Sequence, residues 1–150
     1  MIAAAALLIA GLFSMRRCWL EAGFVLIAYA CEAANALLKA LIAAPRPRPD
    51  LVRVTEQASG WGFPSGHVMG TSLALGAAAL MVQRRFPRWR LPAWLAAALV
   101  VLIVAFGRVH AGAHWPSQTF GGPLGAACLL ALLDGIRKAV IARTSSSRSR

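Results

Sequence analysis

Negative charge is scarce in this chain. Asp and Glu together number 5 against 16 Lys and Arg, and charged residues make up only 14% of the 150 residues, while hydrophobic ones reach 59%. A soluble domain of this size carries more charge, so the composition argues against an ordinary soluble globule and for a polytopic membrane protein. Cysteine is sparse as well. Cys18, Cys31 and Cys128 are odd in number, far apart and set in apolar stretches, which points away from a disulfide framework and predicts buried thiols. The apolar N-terminus has no basic segment before it; Arg16 and Arg17 follow it instead. That order is the reverse of a cleaved signal peptide, so residues 2–15 read as a first membrane helix. No internal repeat of 20 to 50 residues is present, which excludes a solenoid.

What the chain does have is five apolar stretches, over residues 2–15, 20–44, 65–82, 91–106 and 120–141. A membrane span needs about 20 residues, roughly 17 at the short end, so the first and fourth are marginal. The expected architecture is all-α: one membrane helical bundle of about five transmembrane helices over residues 1–142, followed by a polar basic tail, 143–150, that reads as disordered. The net charge of +11 does not indicate nucleic acid, because the basic residues fall between apolar runs and not along one polar face. They divide by side. Arg16, Arg17, Arg84, Arg85, Arg88, Arg90, Arg137, Lys138, Arg143, Arg148 and Arg150 share one side, and Lys39, Arg46, Arg48, Arg53 and Arg108 the other. By the positive-inside rule the first group is cytoplasmic, with the N-terminus outside and the C-terminus inside.

The smaller group draws attention because three of its members lie in patches suited to one anion. Lys39 stands near the outer end of the second stretch, and Arg46 follows among Pro45, Pro47 and Pro49, which break the helix. Arg46 can present a planar fork to phosphate oxygens and Lys39 a point charge. The second patch, Pro64-Ser65-Gly66-His67, opens a helix: Ser65 is a good N-cap, Gly66 admits close backbone approach, and the N–H groups of a helix start favour anions. The third runs from Arg108 through His110 and His114 to Gln118. An imidazole Nε2 can attack phosphorus when its Nδ1–H is held by an acceptor, and Gln118, four residues on, can accept that bond without supplying charge.

In this order the patches resemble the type-2 phosphatidic acid phosphatase (lipid phosphate phosphatase) superfamily, which also includes vanadium haloperoxidases. The resemblance covers residues 39–118. It implies that Lys39, Arg46 and Arg108 bind phosphate oxygens, that Ser65 and Gly66 add hydrogen bonds, that His67 is the general acid, and that His114 is the nucleophile, with neither metal nor cofactor required. The implied substrate is a lipid-borne phosphomonoester or pyrophosphate, at a site facing the periplasm or exterior of a bacterial inner membrane. The implied partners are the lipid head group, surrounding membrane lipids and other membrane proteins, not nucleic acid. Two positions depart from the family pattern. Gly107 replaces a Ser, and Gln118 replaces the orienting Asp. In the serine-protease triad, exchanging that Asp for its amide lowers turnover by about 10⁴. A second reading therefore stands beside the enzyme: a degenerate member that binds a phosphate or lipid head group, or serves as a structural subunit of a membrane complex.

The remaining polar residues have cheaper explanations. Asp50 and Glu56 are expected to pair with Arg48 and Arg53. Glu32, Asn35 and Lys39 share one helix face and point into the bundle, Glu32 either beneath the phosphate site or bonded to a neighbouring helix. Glu21 reads as interfacial beside Arg16 and Arg17. Trp61 and Phe63 are expected at the membrane interface, and Gly121 and Gly125 form a small-residue contact patch.

Overall fold

A computed structural model describes residues 33–148, with side chains over 35–139. The expectations for residues 2–15, for Arg16 and Arg17, for Cys18 and Cys31, and for Glu21 and Glu32 lie outside the described residues. Within them the fold is all-helical: α1 (Ala33–Ile42), α2 (Gly66–Arg85), a short 3-10 turn (Pro87–Trp89), α3 (Arg90–His110) and α4 (Pro116–Arg148). α1 stops where three prolines follow within seven residues. Ala43 takes a left-handed φ of 47° and its N–H bonds back to Lys39 O at 3.0 Å, which turns the chain out of the helix.

α2 is the axis of the bundle. It packs along both α3 and α4, which touch each other far less. Its sequence explains this. Gly70, Thr71, Ser72, Ala74, Gly76, Ala77 and Ala79 are all buried, and small side chains let neighbouring backbones approach closely. The Ser72 hydroxyl, which would otherwise be an orphan in this apolar setting, donates to Val68 O at 2.8 Å. Met69, Leu73, Ala77 and Met81 interlock with Ala126 and Leu130 of α4 to form the core.

α3 is the opposite case. Ala97 is its one buried residue, and Leu91, Leu95, Leu99, Leu102, Ile103 and Phe106 are exposed. Together with the 3-10 turn it forms one of two segments among the described residues that are long and apolar enough to cross a membrane, Pro87–His110; the other is Pro116–Ala139 in α4. Between α2, α3 and α4 runs an apolar cleft of about 600 Å³, lined by Gly76, Leu80, Trp94, Phe120, Pro123 and Leu130 among others.

Element ends differ from the expected ones in an instructive way. α3 extends four residues past 106 to His110, and α4 begins four residues before 120 at Pro116. Polar residues at those ends are helical because the helix propagates one hydrogen bond per residue once nucleated. The same reason carries α4 through Arg148, into the stretch that composition assigns to a disordered tail. Cys128 is exposed on α4, not buried as its apolar neighbourhood predicts; an apolar sequence does not distinguish a helix face turned to the core from one turned outward.

The helical hairpins sort the cations. Arg84, Arg85, Arg88 and Arg90 lie around the α2–α3 turn. Asp134 of α4 pairs there with Arg84 and, at 3.0 Å, with Lys138 one turn on. Arg46, Arg48, Arg53 and Arg108 belong to the opposite end, where the segment between α1 and α2 meets the turn between α3 and α4. In the sequence, the mark of Asp134 is an acidic residue set inside an apolar stretch.

Candidate functional site

The site is built from two connecting segments, residues 43–65 and 111–115, and the helix ends they join. Backbone bonds set the frame: Gly62 N–H donates to Ala44 O at 2.8 Å, Ser65 N–H to Gln118 O at 3.0 Å, and His114 N–H to Arg108 O at 3.3 Å. The start of α2 sits close against α4 because Gly122 lacks a side chain. A Cβ there would lie 2.9 Å from Met69 N and 3.0 Å from Val68. Phe63 packs over Gly121 and is half-buried, whereas Trp61 is exposed.

His114 lies at the centre, 3% exposed. Arg46 Nη1 is 3.0 Å from His114 Nε2, and His114 Nδ1 is 3.2 Å from Gln118 Oε1. Arginine has no acceptor, so Nε2 must offer its lone pair to Arg46 and Nδ1 must carry the proton that goes to Gln118. The tautomer follows from the partners. Burial first, and then the Arg46 guanidinium, push His114 down to about 4, against the opposing effect of its bond to Gln118. The imidazole is therefore neutral at ordinary pH, with its lone pair on the nitrogen that faces the cations.

Gln118 is held from every side. Its Oε1 also accepts Trp115 N–H at 3.1 Å, and its Nε2 donates to Pro45 O at 2.7 Å. A flipped amide would set NH₂ against an N–H and oxygen against a carbonyl, so the orientation is determined. The side chain fills the space where Gly62 has no Cβ: one there would lie 2.5 Å from the amide atoms. With Ser65 N–H on its backbone carbonyl, this one residue joins all three patches.

Arg46 reaches further than a phosphate fork alone. Its Nε donates to Gly60 O at 2.9 Å, Nη1 to Ala113 O at 2.8 Å, and Nη2 to Ser59 O and Trp61 O, each at 3.3 Å. Lys39 Nζ donates to the same Trp61 O at 3.2 Å. Lys39, Arg46 and Arg108 all lie within electrostatic reach of His114, and Lys39 and Arg108 of His67 as well. His67 is on the first turn of α2 and is exposed. Ser65 takes the N-cap position, but its hydroxyl makes no cap bond. Ser65 Oγ and Arg108 Nε are both buried without a hydrogen-bond partner among the described residues. Such atoms mark a place built for a polar occupant. Gly66 opens α2. The eight residues singled out in the sequence thus gather at one end of the bundle. His110 does not join them: it is exposed and stacks on Phe106 at 5.9 Å.

One pairing differs from expectation. Asp50 pairs with Arg48 at 2.5 Å as the sequence suggests, but Glu56 pairs with Arg108 at 2.7 Å and not with Arg53. Local proximity favours Arg53; the tertiary fold brings Arg108 closer.

The sequence pattern of the PAP2 superfamily matches residues 19–140. The chain belongs to the PAP2 superfamily. Among curated PAP2-type relatives, phosphatidylglycerophosphatase B of Bacillus subtilis (strain 168) is 27% identical over 116 residues, which is 75% of this chain and 56% of the relative. The chain therefore spans little more than half the length of that relative. The fold is also that of a solved PAP2 structure, described as the first transmembrane PAP2 type phosphatidylglycerolphosphate phosphatase from Bacillus subtilis. The two superpose with a TM-score of 0.75 at 23% identity, over 93% of this chain and 68% of the other.

Proposed function

We propose that this PAP2 member is an integral membrane phosphatase that removes a phosphoryl group from a lipid, through a phosphohistidine on His114. One observation carries the reading: a neutral imidazole with its Nε2 lone pair held at 3.0 Å from a guanidinium, inside a ring of further cations. In the proposed cycle the phosphate monoester enters among Lys39, Arg46, Arg108, Ser65 and the N–H groups opening α2. The Arg46 N–H that rests on Nε2 passes to a phosphate oxygen, which frees the lone pair. Nε2 attacks phosphorus, the N–P bond forms and the P–O bond to the lipid alcohol breaks. Protonated His67 donates its proton to the leaving oxygen. Gln118 keeps Nδ1–H in place as the ring gains charge. Water then attacks phosphorus, neutral His67 takes its proton, and inorganic phosphate leaves with His114 restored.

The relative's name favours a phosphomonoester on a glycerophospholipid head group as the substrate. The cation distribution supports five spans with the N-terminus outside and the site on the non-cytoplasmic face. Gln118 favours the second reading, a phosphate- or head-group-binding member or membrane-complex subunit, because an amide brings no charge to stabilise the imidazolium.

Phosphate release from phosphatidylglycerophosphate, phosphatidic acid and an isoprenyl pyrophosphate by the purified full chain, beside Gln118→Asp and His114→Ala, decides between them. Release by the wild type and none by His114→Ala is the expected result. A silent wild type with an active Gln118→Asp would establish the binding or subunit reading instead.

A further inference from the structure

Glu56 lies outside the three patches, and no step above uses it. Its carboxylate nevertheless reaches Arg108, 52 positions away in sequence, where Arg108 Nη1 donates to Oε2 at 2.7 Å. The arginine side chain is 13% exposed and the glutamate 50%. A half-exposed ion pair contributes little when its outer partner is free to move. Glu56 is not free to move. Thr55 donates to Ala111 O from both its N–H, at 3.0 Å, and its hydroxyl, at 3.2 Å, and Glu56 N–H reaches the same carbonyl at 3.4 Å. Just before them, the Arg53–Val54 backbone presses against Gly112, whose φ is 66° and where any side chain would collide with the Arg53 carbonyl. Segment 53–56 is thus docked on the turn that links α3 to His114.

The second observation is on the arginine itself. Arg108 Nε is buried and has no partner among the described residues. A guanidinium is a rigid planar fork, so a partner fixing one nitrogen aims the others. A carboxylate standing in for phosphate would be expected to take the fork on two nitrogens. Glu56 bonds it through Nη1, and the Nε edge is left for another acceptor.

We propose that Glu56 is a positioning residue: it holds the Arg108 fork from the outer side so that its Nε edge faces the bound phosphate. The inference rests on the phosphate reading of the site and deepens it. The competing account makes Glu56 a tethered rival that vacates Arg108 when an anion arrives, and it predicts the opposite sign.

The test is inorganic phosphate binding to the full chain in detergent, by calorimetry, for wild type, Glu56→Gln, Arg108→Ala and the double variant, with melting temperatures as a control. Glu56→Gln is expected to weaken phosphate binding by about tenfold, the scale of one charge-assisted contact. In the Arg108→Ala background the same change is expected to have no effect, because it acts through that side chain. Glu56→Asp, which retains the charge, should recover part of the loss. Tighter binding by Glu56→Gln, unchanged binding, or an equal loss in the Arg108→Ala background would each overturn the proposal while leaving the phosphate site standing. A wild type that does not bind phosphate would overturn both.

Discussion

Replacing Gln118 by Glu keeps the length of the side chain and exchanges its NH₂ for an oxygen. That oxygen would face Pro45 O at about the 2.7 Å now spanned by a hydrogen bond, so a buried donor–acceptor pair becomes a buried repulsion. Gln118→Glu is expected to lose about 1–3 kcal/mol of stability, read as a lower melting temperature in detergent. Gln118→Asp is a methylene too short to serve His114, Trp115 and Pro45 together, and should lose a similar amount. His114 contributes a pH dependence of known sign. Its folded pKa of about 4 lies below the usual 6.5, so the unfolded chain binds the extra proton between those values. The stability it supports is present above pH 6.5 and is lost as pH falls towards 4. Wild type should therefore lose melting temperature across that window more steeply than His114→Gln, in anion-free buffer. The chemistry of these residues was legible in the sequence because each patch is local: a Lys and an Arg around a helix exit, a Ser-Gly-His helix start, an imidazole four residues before an amide. Their cross-links were not. The Gln118–Pro45 bond spans 73 positions and the Arg108–Glu56 bond 52, and nothing in the nearby sequence of either pair selects its partner.

At the scale of elements, two glycines with similar backbones should respond differently to the same change. Gly60 and Gly112 both have positive φ, 71° and 66°. A Cβ on Gly60 meets nothing within 4 Å, whereas one on Gly112 runs into the Arg53–Val54 backbone. Gly60→Ala should cost about 1 kcal/mol from the backbone alone, and Gly112→Ala distinctly more, because a main chain cannot rotate aside as a side-chain tip can; thermal melting of the two variants measures the difference. Gly122→Ala presses on the Met69 backbone in the first turn of α2, beside Ser65 and His67, so it should lower melting temperature and phosphate release together. Helix identity in α2, α3 and α4 follows from long apolar runs. Most of their ends lie within four residues of the apolar stretches, and α4 runs seven past its own, from 141 to Arg148, because hydropathy marks the apolar middle of a helix, not the polar turns that extend it.

For the whole molecule, the segregation of cations to two ends makes a topological claim that chemical labelling can read. In a variant lacking the native cysteines, a thiol placed at Arg88 should react with an impermeant maleimide only in inside-out vesicles, and one at Arg53 only in right-side-out vesicles. The exposed flank of α3 has a further consequence. Its 21 residues rise about 31 Å, close to the roughly 30 Å of a typical hydrocarbon slab, and its C-terminal turn carries Arg108 directly into the His114 segment. α3 is held along one side by α2 and turns most of its surface outward, so a change in lipid thickness acts on it against that packing. Thinning the bilayer is expected to press α3 toward a greater tilt and to shift Arg108 relative to Arg46. On the phosphatase reading, phosphate release is expected to peak in bilayers matched to α3 and to fall on both sides of that match.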